Sequence, residues 1–211
     1  MLKLLLGAAS ASVLAASAHA AVITPVSATA SSTFNNGFYN AENLIDGSGL
    51  SGDQHDSNFA NMWMTDLGAS KAQVTFDLGG LFNLASADIW QFNFGTNTPV
   101  ISTLDRGIKD FRVLVSLDGA SFTEIFTGTL DRAPDGSPIT AQTIALSGAA
   151  RFVQFDILSN YTYGTIYEAW EASGLSEVRF NSADVPEPAS LALVAMSLGA
   201  LGFARRRRRA I

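Results

Sequence analysis

The sequence predicts an all-β sandwich, and three features of its 211 residues lead to that prediction. Apolar residues recur at every second position, most clearly at Phe111, Val113, Val115 and Leu117, which is the period of a half-buried strand. Outside the two terminal segments, no stretch keeps the apolar period of a helix. Glycine, aspartate and asparagine separate the short apolar runs, as is typical of sandwiches and jelly rolls.

The individual strands can be placed along the chain from the same pattern. We expect them at residues 74–78, 86–93, 111–117, 122–126, 140–146, 151–158 and 175–180. Asp118-Gly119 is a tight-turn signal, so the strands on either side of it should form a hairpin. Another strand pair is expected around Gly148. Residues 47–61 and 94–105 indicate long loops, and on a sandwich such loops are where ligands usually bind.

Residues 1–20 predict a secretory signal peptide. Lys3 gives an early positive charge, residues 4–14 form a short apolar run, and Ala18-His19-Ala20 has the small-x-small pattern of a cleavage site. A buried N-terminal helix is the alternative, but no polar face recurs at helical spacing.

The C-terminal segment, residues 185–211, has three parts in a fixed order. Pro186, Glu187 and Pro188 come first, and residues 189–204 then carry no charge. A stable membrane span usually needs about 20 apolar residues, and this stretch is shorter. It therefore predicts a short hydrophobic helix that is held in the inner membrane only transiently. Five consecutive arginines follow: Arg205, Arg206, Arg207, Arg208 and Arg209. Because arginines beside a span stay on the cytoplasmic side, the domain before them should be exported.

A single domain, residues 21–184, remains between these two ends. Of the 19 acidic residues only Glu187 lies outside it, and of the 13 basic residues Lys3 and the five terminal arginines do, which leaves 18 acidic and 7 basic residues and a net charge of about −11. A domain of this charge repels phosphate backbones, so nucleic acid is not an expected partner. The chain has no cysteine, which excludes disulfides, thiolate zinc sites and cysteine nucleophiles.

The C-terminal arrangement resembles the PEP-CTERM sorting signal of Gram-negative bacteria. The resemblance implies that an exosortase, a membrane protease-transpeptidase, cuts near Pro186-Glu187-Pro188 after signal peptidase has removed the N-terminal segment. It also implies a protein at the cell surface or in the extracellular matrix of a host that makes extracellular polysaccharide. The two prolines disfavour helix and strand pairing, which leaves the extended, accessible peptide that a processing enzyme needs.

The rest of the chain resembles the discoidin-like (coagulation factor type C) domain, a galactose-binding-like jelly roll. Four groups of residues carry the resemblance in order: 28–32 with 41–47 and 62–65, then 74–80 with 89–90, then 106–119, then 151–156 with 174–180. It implies a domain that binds its ligand and does not cleave it. Trp63 and Trp90 occupy positions where the resemblance implies core packing.

The same resemblance implies a structural calcium ion where the first and last parts of the domain meet. Asp46 and Glu177 would be side-chain ligands, Asn43 would offer a carbonyl, and Ser48 would give an oxygen from the loop. Calcium takes 6 to 8 oxygen ligands in an irregular shell, which a turn and a strand together can supply. In the alternative, Asp46 only caps its own turn and Glu177 faces solvent.

No catalytic residue is expected. His55, the one histidine of the domain, lies in residues 53–58, which lack the Gly and the terminal Glu of an EF-hand loop and predict a solvated polar loop. No Gly-x-Ser-x-Gly elbow marks a serine nucleophile, and no carboxylate pair stands out for glycoside hydrolysis.

Four residues are candidates for contact with a ligand. Tyr163, Tyr167 and Trp170 lie in a polar, aromatic loop before the last strand. Arg106 begins one motif of the resemblance and could hydrogen-bond either a ligand or a buried carboxylate.

Together these features predict an exported, non-catalytic carbohydrate-binding module that associates with extracellular polysaccharide. The alternative is a matrix or adhesion protein whose loops bind protein partners and no sugar. A small glycan hydrolase is a more distant third reading. Binding to a polysaccharide panel would separate the first two, and release of reducing ends would indicate the third.

Overall fold

The structure, a computed structural model, describes residues 21–34, 37–95, 102–165 and 171–183, which all belong to one compact unit. The predicted signal peptide, the sorting signal with its hydrophobic helix, and the candidates Tyr167 and Trp170 lie outside the described residues. Within them, no helix is long and apolar enough to cross a membrane.

The alternating apolar pattern produces an all-β fold, as the sequence predicts. Its strands are Val22–Ile23 (β1), Ser27–Ala30 (β2), Leu50–Ser51 (β3), Gln54–His55 (β4), Trp63–Met64 (β5), Ala72–Gln91 (β6), Asp110–Ser116 (β7), Thr123–Thr129 (β8), Ile139–Thr140 (β9), Gln142–Ile157 (β10) and Gly174–Ser182 (β11). The helical elements of the described residues are three short 3-10 helices, Ala41–Leu44, Phe59–Asn61 and Thr103–Arg106.

Two long strands, β6 and β10, organise the sandwich. They run side by side and antiparallel, with register irregularities between Ala145 and Gly148 and between Ala150 and Phe152. The prediction of separate strands at 74–78 and 86–93, and of a strand pair around Gly148, is therefore wrong. An irregularity bends a strand and increases its twist without ending it, so one strand can serve two layers.

The bends divide the strands into two layers that face each other. The first half of β6 pairs with β2 and with the second half of β10, which continues to β7 and β8. The second half of β6 pairs with β11, which in turn pairs with β1. Phe76 and Phe155 of the first layer lie 5.3 and 6.1 Å, ring centroid to centroid, from Phe180 of the second. These rings form the centre of the core, and Trp63 and Trp90 are buried in the fold as the sequence predicts.

The hairpin predicted at Asp118-Gly119 is confirmed, since β7 and β8 pair across it. Gly119 has a φ of +76°, which side chains rarely tolerate. The Asp118 carboxylate accepts hydrogen bonds from the backbone N–H groups of Ser121 and Ala120, both at 2.9 Å. These bonds favour the charged form and lower the pKa of Asp118 to about 2.

Residues 47–61 are more ordered than the predicted loop. Strands β3 and β4 form a small hairpin, and β4 also pairs with β9, which makes a three-stranded sheet. His55 is fully buried, so the expectation of a solvated polar segment is wrong for this side chain. Its Nδ1 lies 2.8 Å from the backbone oxygen of Asp56. The indole N–H of Trp90 donates to the Asp53 carbonyl at 3.0 Å and ties this small sheet to β6.

Candidate functional site

An aromatic cleft lies where several connecting segments meet. It encloses about 310 Å³, and its lining is Phe34, Tyr39, Phe59, Met64, Leu67, Phe94 and Arg106. Beneath it is a small apolar cluster, separate from the main core, built from Tyr39, Met62, Met64, Phe92 and Ala172. The aromatic walls of the cleft therefore pack against buried side chains.

Phe59 is the central ring of the cleft. Its ring centroid lies 5.3 Å from that of Phe94, 5.5 Å from that of Phe38 and 5.8 Å from that of Tyr39. Two of these contacts are edge-to-face, the geometry that aromatic quadrupoles prefer. Phe38 is 50 % exposed at the edge of this cluster, so apolar surface continues outward to solvent.

The Asn43 amide holds the segments around the cleft together. Its Nδ2 lies 2.6 Å from the Phe38 carbonyl, 2.8 Å from that of Met62 and 3.1 Å from that of Ala60. The two N–H groups of this amide are shared among three backbone carbonyls and fix two distant segments relative to each other. The side-chain nitrogen of this predicted calcium ligand is therefore engaged in positioning the cleft.

Arg106 brings the positive charge of the cleft. It is the last residue of the 3-10 helix Thr103–Arg106, whose first turn is capped by the Ser102 hydroxyl. The guanidinium is half-buried, and this burial lowers the pKa of Arg106, although the nearby Tyr39 hydroxyl opposes the effect. Within the described part of the chain, no carboxylate forms an ion pair with Arg106. Of the two roles predicted for this residue, a hydrogen bond to a buried carboxylate is therefore not seen among the described residues.

Tyr163 lies apart from the cleft lining. Its ring is 46 % exposed, with the Lys71 ammonium 5.0 Å from the ring centroid. Its backbone N–H donates to the Asn160 side-chain oxygen at 2.8 Å, which orders the local turn. The structure thus keeps Tyr163 accessible but does not bring it into the lining with Arg106.

A second cavity lies where the first and last parts of the domain meet. It encloses about 210 Å³ and is lined by Asp46, Glu177 and Arg179 among others. Asn43 and Ser48 are not part of this lining. Of the four residues predicted to hold calcium, Asp46 and Glu177 therefore line this cavity and the other two do not.

The Glu177 carboxylate is buried and only partly satisfied. The side chain is 2 % exposed, so the alternative in which it faces solvent is wrong. The backbone N–H of Gly47 hydrogen-bonds to it, but Oε2 has no partner. Burial, and to a smaller extent the negative charge of Asp46, raises the pKa of Glu177 to about 8, while the positive charge of Arg179 opposes the shift.

The turn before Ser48 also leaves a polar atom without a partner. Asp46 accepts a hydrogen bond from the Ser48 backbone N–H at 2.7 Å, which is the turn cap that the sequence suggested. The Ser48 hydroxyl is buried and makes no hydrogen bond. In the described residues, no three His, Cys, Asp or Glu side chains converge as a metal cluster. Any cation here would therefore take hydroxyl and carbonyl oxygens besides the two carboxylates.

Two parts of the chain match known families. A model of the F5/8 type C domain matches residues 27–172, more than half of the sequence. The chain belongs to the F5/8 type C domain family. A PEP-CTERM protein-sorting motif matches residues 184–209 of this F5/8 type C protein, so both expected resemblances are confirmed. No match is found among curated proteins.

This F5/8 type C domain is similar in fold to solved carbohydrate-binding modules. CpGH89CBM32-5 from Clostridium perfringens, solved with GalNAc-β-1,3-galactose, aligns with a TM-score of 0.55 and 20 % identity over 77 % of this chain and 100 % of the module. The family 32 module of Clostridium perfringens NanJ, solved with galactose, gives 0.54 and 16 % over 78 % of this chain and 100 % of the module. The CBM32 of AlyQ, solved with 4,5-unsaturated mannuronic acid, gives 0.51 and 21 % over 76 % and 97 %. At these identities the likeness establishes the jelly-roll fold.

Proposed function

We propose that this F5/8 type C domain is an exported, non-catalytic carbohydrate-binding module that associates with extracellular polysaccharide or the cell surface. The observation that carries the proposal is the aromatic cleft with Arg106 in its lining. Small-molecule sites are mostly apolar, with a few polar groups that fix orientation. A sugar ring has an apolar face that packs on aromatic rings and hydroxyl groups that accept hydrogen bonds from a guanidinium.

The fold and the size of the cleft support this proposal. Ligand pockets usually enclose about 300 to 1,000 Å³, and the cleft lies at the small end of this range. Similar modules were solved with galactose, with a galactose-containing disaccharide and with an unsaturated mannuronic acid. These features favour a short segment of a glycan chain as the ligand.

Replacing Phe59 with alanine is expected to weaken glycan binding about tenfold, because truncating a central aromatic anchor usually costs more than 1 kcal/mol of binding energy. The measurement is the dissociation constant for the tightest ligand of a polysaccharide panel. Leu117→Ala is the matched control, since Leu117 is 62 % exposed and outside the cleft.

Two other outcomes would change the assignment. A protein that binds no polysaccharide but does bind protein components of the matrix would favour the adhesion role. Release of reducing ends from a bound glycan would contradict the non-catalytic role.

The sorting motif supports a route to the surface. We propose that signal peptidase removes residues 1–20, that the C-terminal segment holds the chain in the inner membrane transiently, and that an exosortase then cuts near Pro186-Glu187-Pro188. The arginines at the end keep the tail on the cytoplasmic side until this cut.

The mass of the protein recovered from the medium or cell surface is expected to lack both the first 20 residues and the arginine cluster. Mass spectrometry of the intact protein measures both cut sites. A Pro186→Ala, Pro188→Ala variant should keep the N-terminal cut and lose the C-terminal one. Recovery of the uncut chain in the cytosol would contradict the route.

We also propose that calcium braces the Asp46 turn against β11. The buried atoms without hydrogen-bond partners, Glu177 Oε2 and Ser48 Oγ, support this proposal because they are oxygens of the kind that calcium prefers. Asp46 and Glu177 would neutralise the ion, and Ser48 would complete the shell together with backbone carbonyls. Asn43 could take part only through an oxygen, since its side-chain nitrogen is engaged elsewhere.

A further inference from the structure

The cleft carries a positive charge that the described residues do not compensate. Its lining includes Arg106 and no carboxylate. Asp105, the neighbour of Arg106, forms an ion pair with Arg132 at 2.5 Å. Asp56 is also engaged, since it accepts hydrogen bonds from the backbone of Asn58 and the side chain of Asn61. These two carboxylates, one next to Arg106 and one three residues before Phe59, are therefore already engaged with other groups.

Arg106 differs in this respect from three of the other four arginines of the described residues. Arg112, Arg132 and Arg151 pair with carboxylates, and Arg179 lies 5.4 Å from the Trp90 ring. In a domain whose net charge is about −11, acidic side chains are abundant, yet none of those in the described residues forms an ion pair with Arg106. A half-buried cation against apolar walls is costly unless it gains a partner, so the complementary ligand group is an anion.

We propose that the aromatic cleft prefers acidic glycans, and that Arg106 binds the carboxylate of a uronic acid ring that packs on the aromatic walls. This inference rests on the carbohydrate-binding function proposed above. A guanidinium can donate two parallel hydrogen bonds to a carboxylate, and such charge-assisted pairs are about twice as strong as neutral ones. A neutral sugar offers hydroxyl groups only, so it gains less from the same side chain.

The test compares probes that have the same sugar rings and differ in the carboxyl group, which is either charged or a neutral methyl ester. Trigalacturonate and its methyl ester have the same rings, and an oligomannuronate with its methyl ester forms a second pair. The intact mature protein is expected to bind the acid at least about tenfold more tightly than the ester in one of the pairs, measured by calorimetry. In Arg106→Gln this ratio should fall to near one, and Arg106→Lys should restore part of it because the charge returns without the two-pronged geometry.

Arg151→Gln is the matched control. It removes the same charge from the same domain, but Arg151 is paired with Asp77 at 3.2 Å and lies outside the cleft. The control should keep the wild-type ratio, and melting curves of all three variants verify that they are folded.

The outcomes separate this inference from the function on which it rests. If the wild type binds the esters or neutral polysaccharides as well as the acids, or if Arg106→Gln keeps the wild-type ratio, the acid preference is wrong and carbohydrate binding stands. If the wild type binds no glycan of any kind, the proposed function itself fails, and this inference fails with it.

Discussion

Phe155→Ala is expected to lower the free energy of unfolding by about 3 to 5 kcal/mol, the usual cost of removing a buried phenylalanine. The Phe155 side chain is fully buried and contacts three other core rings, with centroid distances of 5.4 Å to Phe76, 5.5 Å to Phe111 and 6.1 Å to Phe180. Its loss would leave a cavity between the two layers. Denaturant unfolding of the mature protein measures the change.

Leu117→Ala is the control for this prediction. Leu117 is 62 % exposed at the end of the β7–β8 hairpin, so its truncation should change stability by less than about 0.5 kcal/mol. A loss at Phe155 that is no larger than the loss at Leu117 would show that these rings do not form the centre of a packed core.

Saturating calcium is expected to raise the melting temperature, and the increase should vanish in Glu177→Gln. At a hundredfold excess over the dissociation constant, binding stabilises the folded state by about 2.7 kcal/mol, which corresponds to roughly 5 to 10 °C for a domain of this size. Thermal melting with calcium and with a chelator measures the difference. Equal midpoints for the wild type would show that the calcium site does not exist.

The calcium-free protein gives this prediction a second readout, its dependence on pH. Burial raises the pKa of Glu177 from its ordinary 4.5 to about 8, so between these pH values the folded state holds a proton that the unfolded state releases. Stability should therefore fall as the pH rises from about 4.5 to about 8, by at most about 5 kcal/mol. Glu177→Gln should remove this slope. Because calcium needs the ionised carboxylate, its stabilising effect should grow over the same pH range.

The strand pattern predicts most of the sheet but not its continuity. Alternating apolar residues identify strand β7, and the Asp118-Gly119 turn signal after it identifies the hairpin with β8. Gly79 and Gly148 resemble breaks between strands in the sequence. Both positions have positive φ, but the chain passes through them without leaving the sheet. Local sequence does not distinguish a bend from an end, since pairing with neighbouring strands decides between them.

The candidate site could be predicted only in part. Arg106 is visible because it begins a recognisable motif, whereas Phe34, Phe59 and Phe94 come from three separate segments that meet only in the fold. The aromatic residues of 34–39 were the available signal, but nothing local shows that they join Phe94. The role of Asn43 was also missed, because its three carbonyl partners include two that are 17 and 19 residues away.

The last strand lies inside the sheet, which would have a mechanical consequence for the membrane-held form proposed above. Val22 of β1 pairs with Asn181 of β11, and β6 pairs along the opposite edge. A pull on the tail, for example from a bound polymer under flow, would load the hydrogen bonds on both edges of β11 at once. Shearing two ladders together needs more force than peeling an outer strand one bond at a time. A domain held at its C-terminus would therefore resist such a pull better with β11 inside the sheet than with β11 at its edge.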